Sequence, residues 1–387
     1  GFLGGMGTAA GVTNFCGLHA NVRGRIDQVV HGVADDLLQR MQALGGLNDP
    51  HLVLGRIHAQ AYDMSAFKCA ADALLVEAGA GLLFHALAAG VTRTAAGGLD
   101  TVLLETKSGR LAIRARQFID CSGDADLAHW AGLPTGKGDE AGDLLYPTLM
   151  FRVGNVDPDR AGPAWQTIPR RMEEAEAAGD FRFPRKGAIV RPQKHATEWR
   201  ANVTQLRNPD GSAADGTDVT QLSAGELEGR RQIADYLRFL RARVPGFEQA
   251  YLLDIAPQLG IRETRRLVGE YVLTAEDILD CADFSDSIGV NGWPLERHVA
   301  GDVDWQWPGR ALAGVIDNLL VAGRCASMTH DGQSAARVSG ACFVMGQAAG
   351  TAAALAIKAG CPVHDLDVTA LQRRLVDQGA FLGKDVG

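Results

Sequence analysis

Two strand-to-loop junctions in the sequence carry polar and glycine residues that could bind a ligand. Residues 119–126 read IDCSGDAD and residues 319–327 read LLVAGRCAS, and each begins with the apolar end of a predicted strand. In an open α/β sheet, ligands gather beyond the carboxyl ends of the strands, and glycine at the exit allows close approach to the backbone. Asp124 or Asp126 could accept a hydrogen bond from a ligand hydroxyl. Ordinary turns with a helix-capping aspartate explain the same pattern, and both interpretations stay open.

The segment after the second junction adds a third candidate feature. Residues 324–337 contain little apolar content, and from Gly340 onward the pattern becomes helical and rich in alanine and glycine. Small residues near a helix start let a flat ligand approach, and the free N–H groups there favour an electron-rich partner. A strand that delivers a loop and a helix start to one place indicates a ligand site.

Composition and charge argue against two classes of partner, which leaves a small molecule as the expected one. The 387 residues carry a net charge of −8 with a pI near 5.7. This balance argues against nucleic acid or an anionic membrane surface as the main partner. No apolar stretch in the sequence reaches the ~18 residues needed to span a bilayer. A homo-oligomer is compatible with these features.

The seven cysteines are scattered along the chain without a CxxC pair. This spacing predicts neither a zinc site nor an iron–sulfur cluster, so no metal is expected. An odd, scattered set in a chain of this size indicates reduced thiols and a cytoplasmic location. A redox role for Cys16 ranks low because it has no nearby partner cysteine.

Periodicity predicts the elements that must position these residues. Helices are expected at 26–44, 63–77 and 223–243, and strands at 82–87, 101–106, 111–114, 116–121 and 319–322. Asp63 is predicted to cap the second helix, and Ser223 with Glu226 fits a capping box on the third.

The middle of the chain differs in amino-acid composition from the segments on either side. Residues 136–310 are rich in glycine, proline and charge and hold five of the six tryptophans. This change predicts a substrate domain, residues 136–310, inserted into a first domain formed by residues 1–135 and 311–387.

The chain resembles the FAD-dependent oxidoreductases of the glutathione-reductase-like two-domain fold, in particular the broad bacterial FAD-dependent oxidoreductase family. The matching stretches are GFLGGMGTAAGVTNFCG, FIDCSGDADLAHWAG, APQLGIRETRRLVGEYVLTAEDIL, and DNLLVAGR through GQAAGTAAALA. The resemblance implies an α/β fold in which an FAD/NAD(P)-binding Rossmann-like domain carries an inserted α+β substrate domain, with FAD as cofactor.

The resemblance also implies roles for individual residues in binding FAD. A loop past the flavin and its ribityl chain would use Gly4, Gly5, Met6 and Thr8. The return of the chain past the dinucleotide would use Ser122, Gly123 and Asp124. The strand end near the pyrophosphate would use Gly323 and Arg324. The segment facing the isoalloxazine would use Arg337, Met345, Gly346, Gln347 and Ala348.

One part of the family pattern is not found in the sequence. The family has a strand, a GxGxxG turn, a helix and a second strand ahead of the GFLGG-like loop, and here Gly1 stands where that second strand ends. The glycine turn holds the pyrophosphate, and an acid holds the adenosine ribose. We therefore expect an N-terminally truncated or split sequence whose first βαβ segment comes from the full-length form or a separate chain.

The run QLGIRETRR, residues 258–266, supplies further candidate site residues. Arg262 could bind a carboxylate or another anion bidentately, although an ion-pair network between domains is favoured about two to one. His330 could act as an acid or base, as could His19, and a structural histidine is the alternative for each. Trp293, Trp305 and Trp307 are expected in the wall of the substrate domain.

These features together predict an FAD-dependent oxidoreductase that transfers a hydride between FAD and a small organic substrate, with Arg262 and His330 as catalytic candidates. Two alternatives remain at this stage. One is a flavin monooxygenase, and the other is a non-catalytic remnant or subunit that needs a separate βαβ segment to bind FAD.

Overall fold

The structure is a computed structural model that describes residues 1–22, 25–53, 55–306, 315–316 and 319–383. The described helices are α1 (Met6–Ala9), α2 (Val33–Ala43), α3 (Met64–Glu77), α4 (Asp126–Trp130), α5 (Pro158–Ala161), α6 (Ala164–Ala177), α7 (Val219–Arg243), α8 (Ala275–Leu279), α9 (His330–Ala336), α10 (Ser339–Ala359) and α11 (Val368–Asp377), with a 3-10 turn at Val363–Asp365.

The described strands are β1 (Asn14–Val22), β2 (Arg25–Gln28), β3 (Leu47–Val53), β4 (Ile57–Tyr62), β5 (Ala86–Arg93), β6 (Leu99–Thr106), β7 (Gly109–Arg114), β8 (Phe118–Asp120), β9 (Thr135–Gly136), β10 (Phe151–Gly154), β11 (Ile189–Pro192), β12 (Trp199–Asn202), β13 (Tyr251–Ile255), β14 (Arg266–Leu267), β15 (Leu295–Arg297), β16 (Asp304–Gln306), β17 (Val315–Ile316) and β18 (Leu319–Val321). Helices and sheets thus mix along the whole chain, which is a mixed α/β architecture.

The two predicted junctions meet because β8 and β18 are parallel neighbours. Leu319 pairs with Phe118 and Val321 pairs with Asp120, and all of β18 is buried. Parallel strands in register end at the same edge of the sheet. The loops that begin at Cys121 and Ala322 therefore leave the sheet side by side.

A second, antiparallel sheet has the strand order β11-β12-β10-β13. Because side chains alternate between faces, each strand contributes apolar residues to one side and polar residues to the other. The apolar side packs against α6 and α7 in the largest core cluster, and it includes Phe151, Val153, Val190, Trp199 and Ala201. The polar side carries arginines, as described below.

Two further antiparallel sheets complete the described strands of the first 120 residues. The sheet β2-β1-β4-β3 packs against α2 and α3 through a core that contains Phe15, Met41 and Phe67. The sheet β5-β6-β7 includes the strands predicted at 101–106 and 111–114, joined by a turn at residues 107–108. Its first strand starts at Ala86 rather than residue 82.

The first predicted helix begins later than its periodicity indicated. Residues 25–28 form β2 and pair with β1, and the backbone N–H of Val29 donates to the carbonyl of Leu18. Tertiary pairing with β1 therefore overrides the apolar spacing at 26–30, and α2 starts at Val33 after Gly32, whose φ is +75°.

The caps of the next two predicted helices gave different outcomes. Asp63 caps α3 as predicted, since its carboxylate accepts from the N–H of Ala66 at 2.9 Å. The capping box predicted at Ser223 is wrong. Asp218 is the cap of α7, and the Ser223 hydroxyl donates to the carbonyl of Val219 at 2.7 Å inside the helix.

The helix α10 is long and apolar enough to cross a membrane, so the expectation of no such stretch needs this exception. Half of its 18-residue apolar window is buried inside the protein. Ala341, Met345 and Ala349 pack in one core cluster with Leu320 of β18. A buried helix of a globular core has the same length and composition.

The predicted domain boundaries, 1–135 with 311–387 and 136–310, stay a prediction.

Candidate active site

A cavity of about 850 Å³ is lined from several elements, including both parallel-strand exits and the polar side of the β11-β12-β10-β13 sheet. We call one side the glycine wall. It consists of Gly4, Gly5, Met6, Ser122, Gly123, Gly323, Arg324, Arg337 and Gly346. We call the other side the arginine wall, and it consists of Arg191, Arg200, Asn202, Arg262 and His298. The family resemblance assigns every member of the glycine wall to the cofactor.

The loop after β8 is organised by a buried carboxylate that the sequence analysis missed. Asp120 is 1% exposed and accepts from the N–H groups of Ser122 and Leu127, each at 2.9 Å. The Ser122 hydroxyl accepts from the N–H groups of Asp124 and Asp126. These bonds hold Ser122 and Gly123 at the cavity, and the aspartate at the strand end in the sequence was the available signal.

Asp124 joins the two parallel-strand exits instead of lining the cavity. Its carboxylate pairs with Arg324 at 2.9 Å and accepts from the hydroxyl of Thr264. Asp126 pairs with Arg265 instead. The ion pair of Asp124 therefore fixes Arg324, which is 8% exposed and belongs to the glycine wall.

Four predicted cofactor residues lie behind the glycine wall. The Thr8 hydroxyl donates to the carbonyl of Leu3 at 2.6 Å, and the Gln347 side chain accepts from the N–H of Val33 at 3.1 Å. Met345 and Ala348 are buried in core clusters. The structure places these residues where they support the wall, and their role toward FAD stays a prediction.

The arginine wall follows from strand alternation. Arg200 and Asn202 lie two residues apart on β12 and therefore share a face, and Arg200 pairs in register with Arg191 on β11. Arg262 reaches the wall from a loop and donates to the carbonyl of Tyr146 and, at 3.2 Å, to Oδ1 of Asn202. The wall thus brings three guanidinium groups to one cavity.

None of these three arginines forms an ion pair among the described residues. Arg191 donates to the carbonyl of Val190, and Arg200 contacts the sulfur of Met150 at 3.8 Å. Burial and the charge of Arg200 lower the pKa of Arg191 to about 10. Burial, together with Arg185 and Arg337, lowers the pKa of Arg262 well below its usual range. Burial of the positive charge of this wall therefore costs free energy.

Ion pairs form within the charged run 258–266 and from it to Asp126, but Arg262 takes part in none of them among the described residues, and the predicted domain boundary stays a prediction. Arg265 pairs with Asp126, and Arg266 pairs with the buried Glu263. Arg262 is 5% exposed and lines the cavity. Its catalytic role stays a prediction, and its position is compatible with contact to a ligand.

Glu296 and His298 form a buried pair that the sequence analysis missed. Oε1 of Glu296 lies 3.0 Å from Nε2 of His298, and Oε2 accepts from the indole N–H of Trp293 at 2.9 Å. Burial and the charge of Arg262 lower the pKa of His298 well below its usual value, so the ring is neutral near pH 7. The spacing Glu-x-His was the available signal, because residues two apart on an extended strand share a face.

With Nε2–H donating to Glu296, the other ring nitrogen of His298, Nδ1, is an unprotonated and buried acceptor. Nδ1 has no hydrogen-bond partner among the described residues. Burial opposes ionisation of Glu296, but its bond with His298 and the charge of Arg337 outweigh burial and lower its pKa. An ionised Glu296 fixes the tautomer of His298, which is the arrangement of a base with its orienting group.

The other predicted reactive residues lie in different positions. His330 begins α9 outside the cavity, with Nδ1 2.8 Å from the Glu263 carboxylate but not aligned as a hydrogen bond. His19 is 5% exposed on β1, and burial lowers its pKa. Cys16 lines the cavity, and burial raises its pKa to about 12, which keeps the thiol protonated. Trp293 and Trp305 also line the cavity, whereas Trp307 lies outside the described residues.

The sequence matches the family described as "FAD dependent oxidoreductase" over residues 1–375. The chain therefore belongs to the FAD-dependent oxidoreductases, a family of enzymes with FAD as cofactor, and its mixed α/β fold agrees with the predicted FAD-binding class. None of the curated proteins matches the chain.

Three solved structures illustrate what this chain is similar to. AlpK is 14% identical with a TM-score of 0.41, and the match covers 92% of this chain and 62% of AlpK. CabE, an aromatic hydroxylase from angucycline biosynthesis, is 11% identical with a TM-score of 0.43 over 91% of this chain and 60% of CabE. The p-nitrophenol 4-monooxygenase PnpA from Pseudomonas putida DLL-E4 is 13% identical with a TM-score of 0.39 over 97% and 70%. The chain spans less than two thirds of the length of AlpK and CabE.

The glycine wall fits the flavin end of FAD. A Cβ at Gly5 or Gly346 would meet no atom within 4 Å, so the backbone is open to the cavity there. A Cβ at Gly123, where φ is +78°, would come within 2.8 Å of the Arg324 guanidinium. These positions leave room for a flat ring next to the backbone and next to the start of α10.

Proposed function

We propose that the protein transfers a hydride between FAD and a small organic substrate held between the glycine wall and the arginine wall. The observation that carries this proposal is the single cavity lined by both walls. One wall has the residues that the family resemblance assigns to FAD, and the other has polar groups that FAD does not require. FAD, when bound, supplies the acceptor or donor of the hydride.

On the glycine wall, the chain itself would hold and tune the cofactor. Ser122, Gly123, Gly323 and Arg324 would line the pyrophosphate and ribityl end. Arg337 and the first turns of α10 would lie near the pyrimidine side of the ring. Positive charge and a helix start at that side favour the more negative, reduced form of a flavin.

On the arginine wall, His298 would manage the proton that accompanies the hydride. In the oxidising direction, a substrate C–H bond breaks and its electron pair leaves with the hydrogen as hydride. The proton of the adjacent O–H passes to Nδ1 of His298, and a C=O bond forms. Glu296 holds Nε2 and thereby keeps Nδ1 available. The reducing direction reverses each transfer.

The test is anaerobic reduction of the flavin in the full-length protein. The flavin absorbance of the purified protein gives the FAD content, and candidate substrates are then added with and without NAD(P)H. Bleaching by a substrate alone supports the proposal. Bleaching that requires NAD(P)H, followed by substrate oxygenation in air, indicates the flavin monooxygenase instead. Failure to hold FAD after reconstitution contradicts both.

The cellular setting follows the same reasoning. We propose a cytoplasmic location, supported by seven free cysteines without a disulfide among the described residues. The expected partner is a small molecule, with no nucleic acid and no membrane surface. A homo-oligomer and a βαβ segment from a separate chain both stay predictions.

A further inference from the structure

The arginine wall has more positive charge than the described residues around it neutralise. Arg200 and Arg262 are 4% and 5% exposed, and their donors meet only neutral acceptors. Arg185, directly behind the wall, donates to Asn202 as well and is 3% exposed. Glu296 and Asp302 are the two carboxylates among the described lining residues, and they are outnumbered by the three guanidinium groups of the arginine wall together with Arg185 and Arg337. His298 and Trp293 bind the two oxygens of Glu296.

The register of β11 with β12 is a second observation that favours an anionic ligand. Arg191 and Arg200 lie directly opposite each other on β11 and β12. Like charges in that position repel, and burial strengthens the repulsion. Nε of Arg200 has no hydrogen-bond partner among the described residues. An anion between these side chains would convert repulsion into two attractive contacts.

The rest of the cavity indicates what carries the anion. Trp165, Ile189, Trp293 and Trp305 line the cavity and offer apolar surface to an organic body. Guanidinium groups match the planar, two-oxygen geometry of a carboxylate. The arginine wall presents side chains from strands and a loop, and not the successive backbone N–H groups of a helix start that typically bind phosphate.

We propose that the substrate is an organic carboxylate whose carboxyl group is bound by Arg200 and Arg262 on the arginine wall. This inference rests on the proposed function, since it names the substrate class of that same cavity. Arg191 adds charge at the outer edge of the wall. Held in this way, the substrate directs its reacting carbon away from the guanidinium groups, toward His298 and the glycine wall.

The test compares acids with their uncharged isosteres on the FAD-loaded, full-length protein. The probes are benzoate against benzamide and butyrate against butyramide, with inorganic phosphate as a further anion. Affinities come from calorimetric titration. We expect at least one acid to bind about tenfold more tightly than its amide and than phosphate, because charge-assisted hydrogen bonds to guanidinium discriminate at that scale.

Matched variants assign the binding to the wall. R262M and R200M remove the charge but keep an unbranched side chain, and R262K keeps the charge without the planar fork. Each Met variant should weaken the acid about tenfold and leave the amide within about twofold, with R262K between. R170M, which removes an exposed arginine of α6, should change neither affinity.

Three results would overturn the inference. The first is equal affinity for acid and amide in both pairs, and the second is acid binding that survives in both R200M and R262M. Phosphate binding as tightly as the better acid would also contradict a carboxylate site. Flavin content is measured in the same samples, so loss of FAD counts against the proposed function, whereas retained FAD without acid selectivity counts against the carboxylate alone.

Discussion

One row of arginines crosses the β11-β12-β10-β13 sheet, and carboxylates surround the arginine at one end but not those at the other. The row runs in register through Arg191, Arg200 and Arg152 to Asp254 across β11, β12, β10 and β13. Arg152 is bound by the carboxylate of Asp254 and lies 3.3 Å from Glu198 and 3.9 Å from Asp63. Arg191 and Arg200 have no such partner among the described residues. The same residue type in the same row is thus structural at one end and open to a ligand at the other.

This difference teaches how to separate a structural arginine from a binding one. A cation that neighbouring carboxylates already neutralise offers little to a ligand anion. A buried cation with only neutral acceptors costs folding free energy that a ligand can recover. Arg324 belongs to the first group through Asp124, whereas Arg200 and Arg262 belong to the second.

The largest expected effect is on stability, when an arginine at each end of the row is replaced by methionine. R152M should lower the free energy of unfolding by about 2 kcal/mol, since it leaves three carboxylates without their cation. R200M should leave stability unchanged or raise it by about 1 kcal/mol, because it removes repulsion from Arg191. Urea unfolding of both variants without ligand measures the contrast. Equal destabilisation by the two variants would remove the distinction between the ends of the row.

Asp124 and Asp126 allow a sharper test of a neutralised arginine in the glycine wall. D124N and D126N each remove one partly buried ion pair and should each cost about 1 kcal/mol of stability. Only D124N releases an arginine that lines the cavity, so only D124N should weaken FAD binding, about tenfold or about 1.4 kcal/mol. Flavin retention during dialysis distinguishes them, and equal losses of FAD would show that Arg324 does not contact the cofactor.

His298 should make the stability of the protein depend on pH. Its ring faces Glu296, Arg262 and Arg185, and its pKa in the folded chain lies well below 6.5. Below pH 6.5 the unfolded chain therefore binds a proton that the folded chain excludes, and stability falls as pH falls. One such group contributes a slope of at most about 1.4 kcal/mol per pH unit. H298Q should flatten the unfolding free energy between pH 6.5 and 5, whereas an unchanged slope would mean that His298 is protonated in the folded protein.

The smallest expected effect is on the outer surface of α6. Arg170 and Glu174 form a pair whose side chains are 64% and 56% exposed. R170M should change the free energy of unfolding by less than about 0.5 kcal/mol and leave FAD content unchanged. A larger loss measured by urea unfolding would show that exposed charge matters more here than the contrast within the arginine row assumes.

Local signals in the sequence found the two strand exits of the glycine wall, and the family resemblance supplied its other residues. An apolar run followed by glycine marks a strand exit, and Gly123 and Gly323 did lie at neighbouring exits. Predicting the arginine wall would have required knowing that β11 pairs with β12. The sequence between Arg191 and Arg200 has no local signal that the two side chains will lie opposite each other. Arg262 was visible as one member of a charged run, but its separation from the ion pairs of Arg265 and Arg266 depended on tertiary contacts.

The errors in the predicted elements have the same physical origin. Apolar spacing at 26–38 fits a helix, but residues 25–28 gained more by pairing with β1. Glu296 and His298 carried a strand-spacing signal that was overlooked in a short segment rich in glycine and proline. Local pattern therefore predicted the two strand exits that meet at the cavity, whereas it did not predict the arginine wall opposite them.

The most direct test of the central claim is the flavin absorbance spectrum of the FAD-loaded protein during titration with benzoate or butyrate. The account predicts that one of these acids perturbs the spectrum and saturates at one site per chain. Its amide should have no such effect, and R262M should need about tenfold more acid. A perturbation equally strong in R262M, or equally strong with the amide, would show that no carboxylate bound by Arg262 lies next to the flavin.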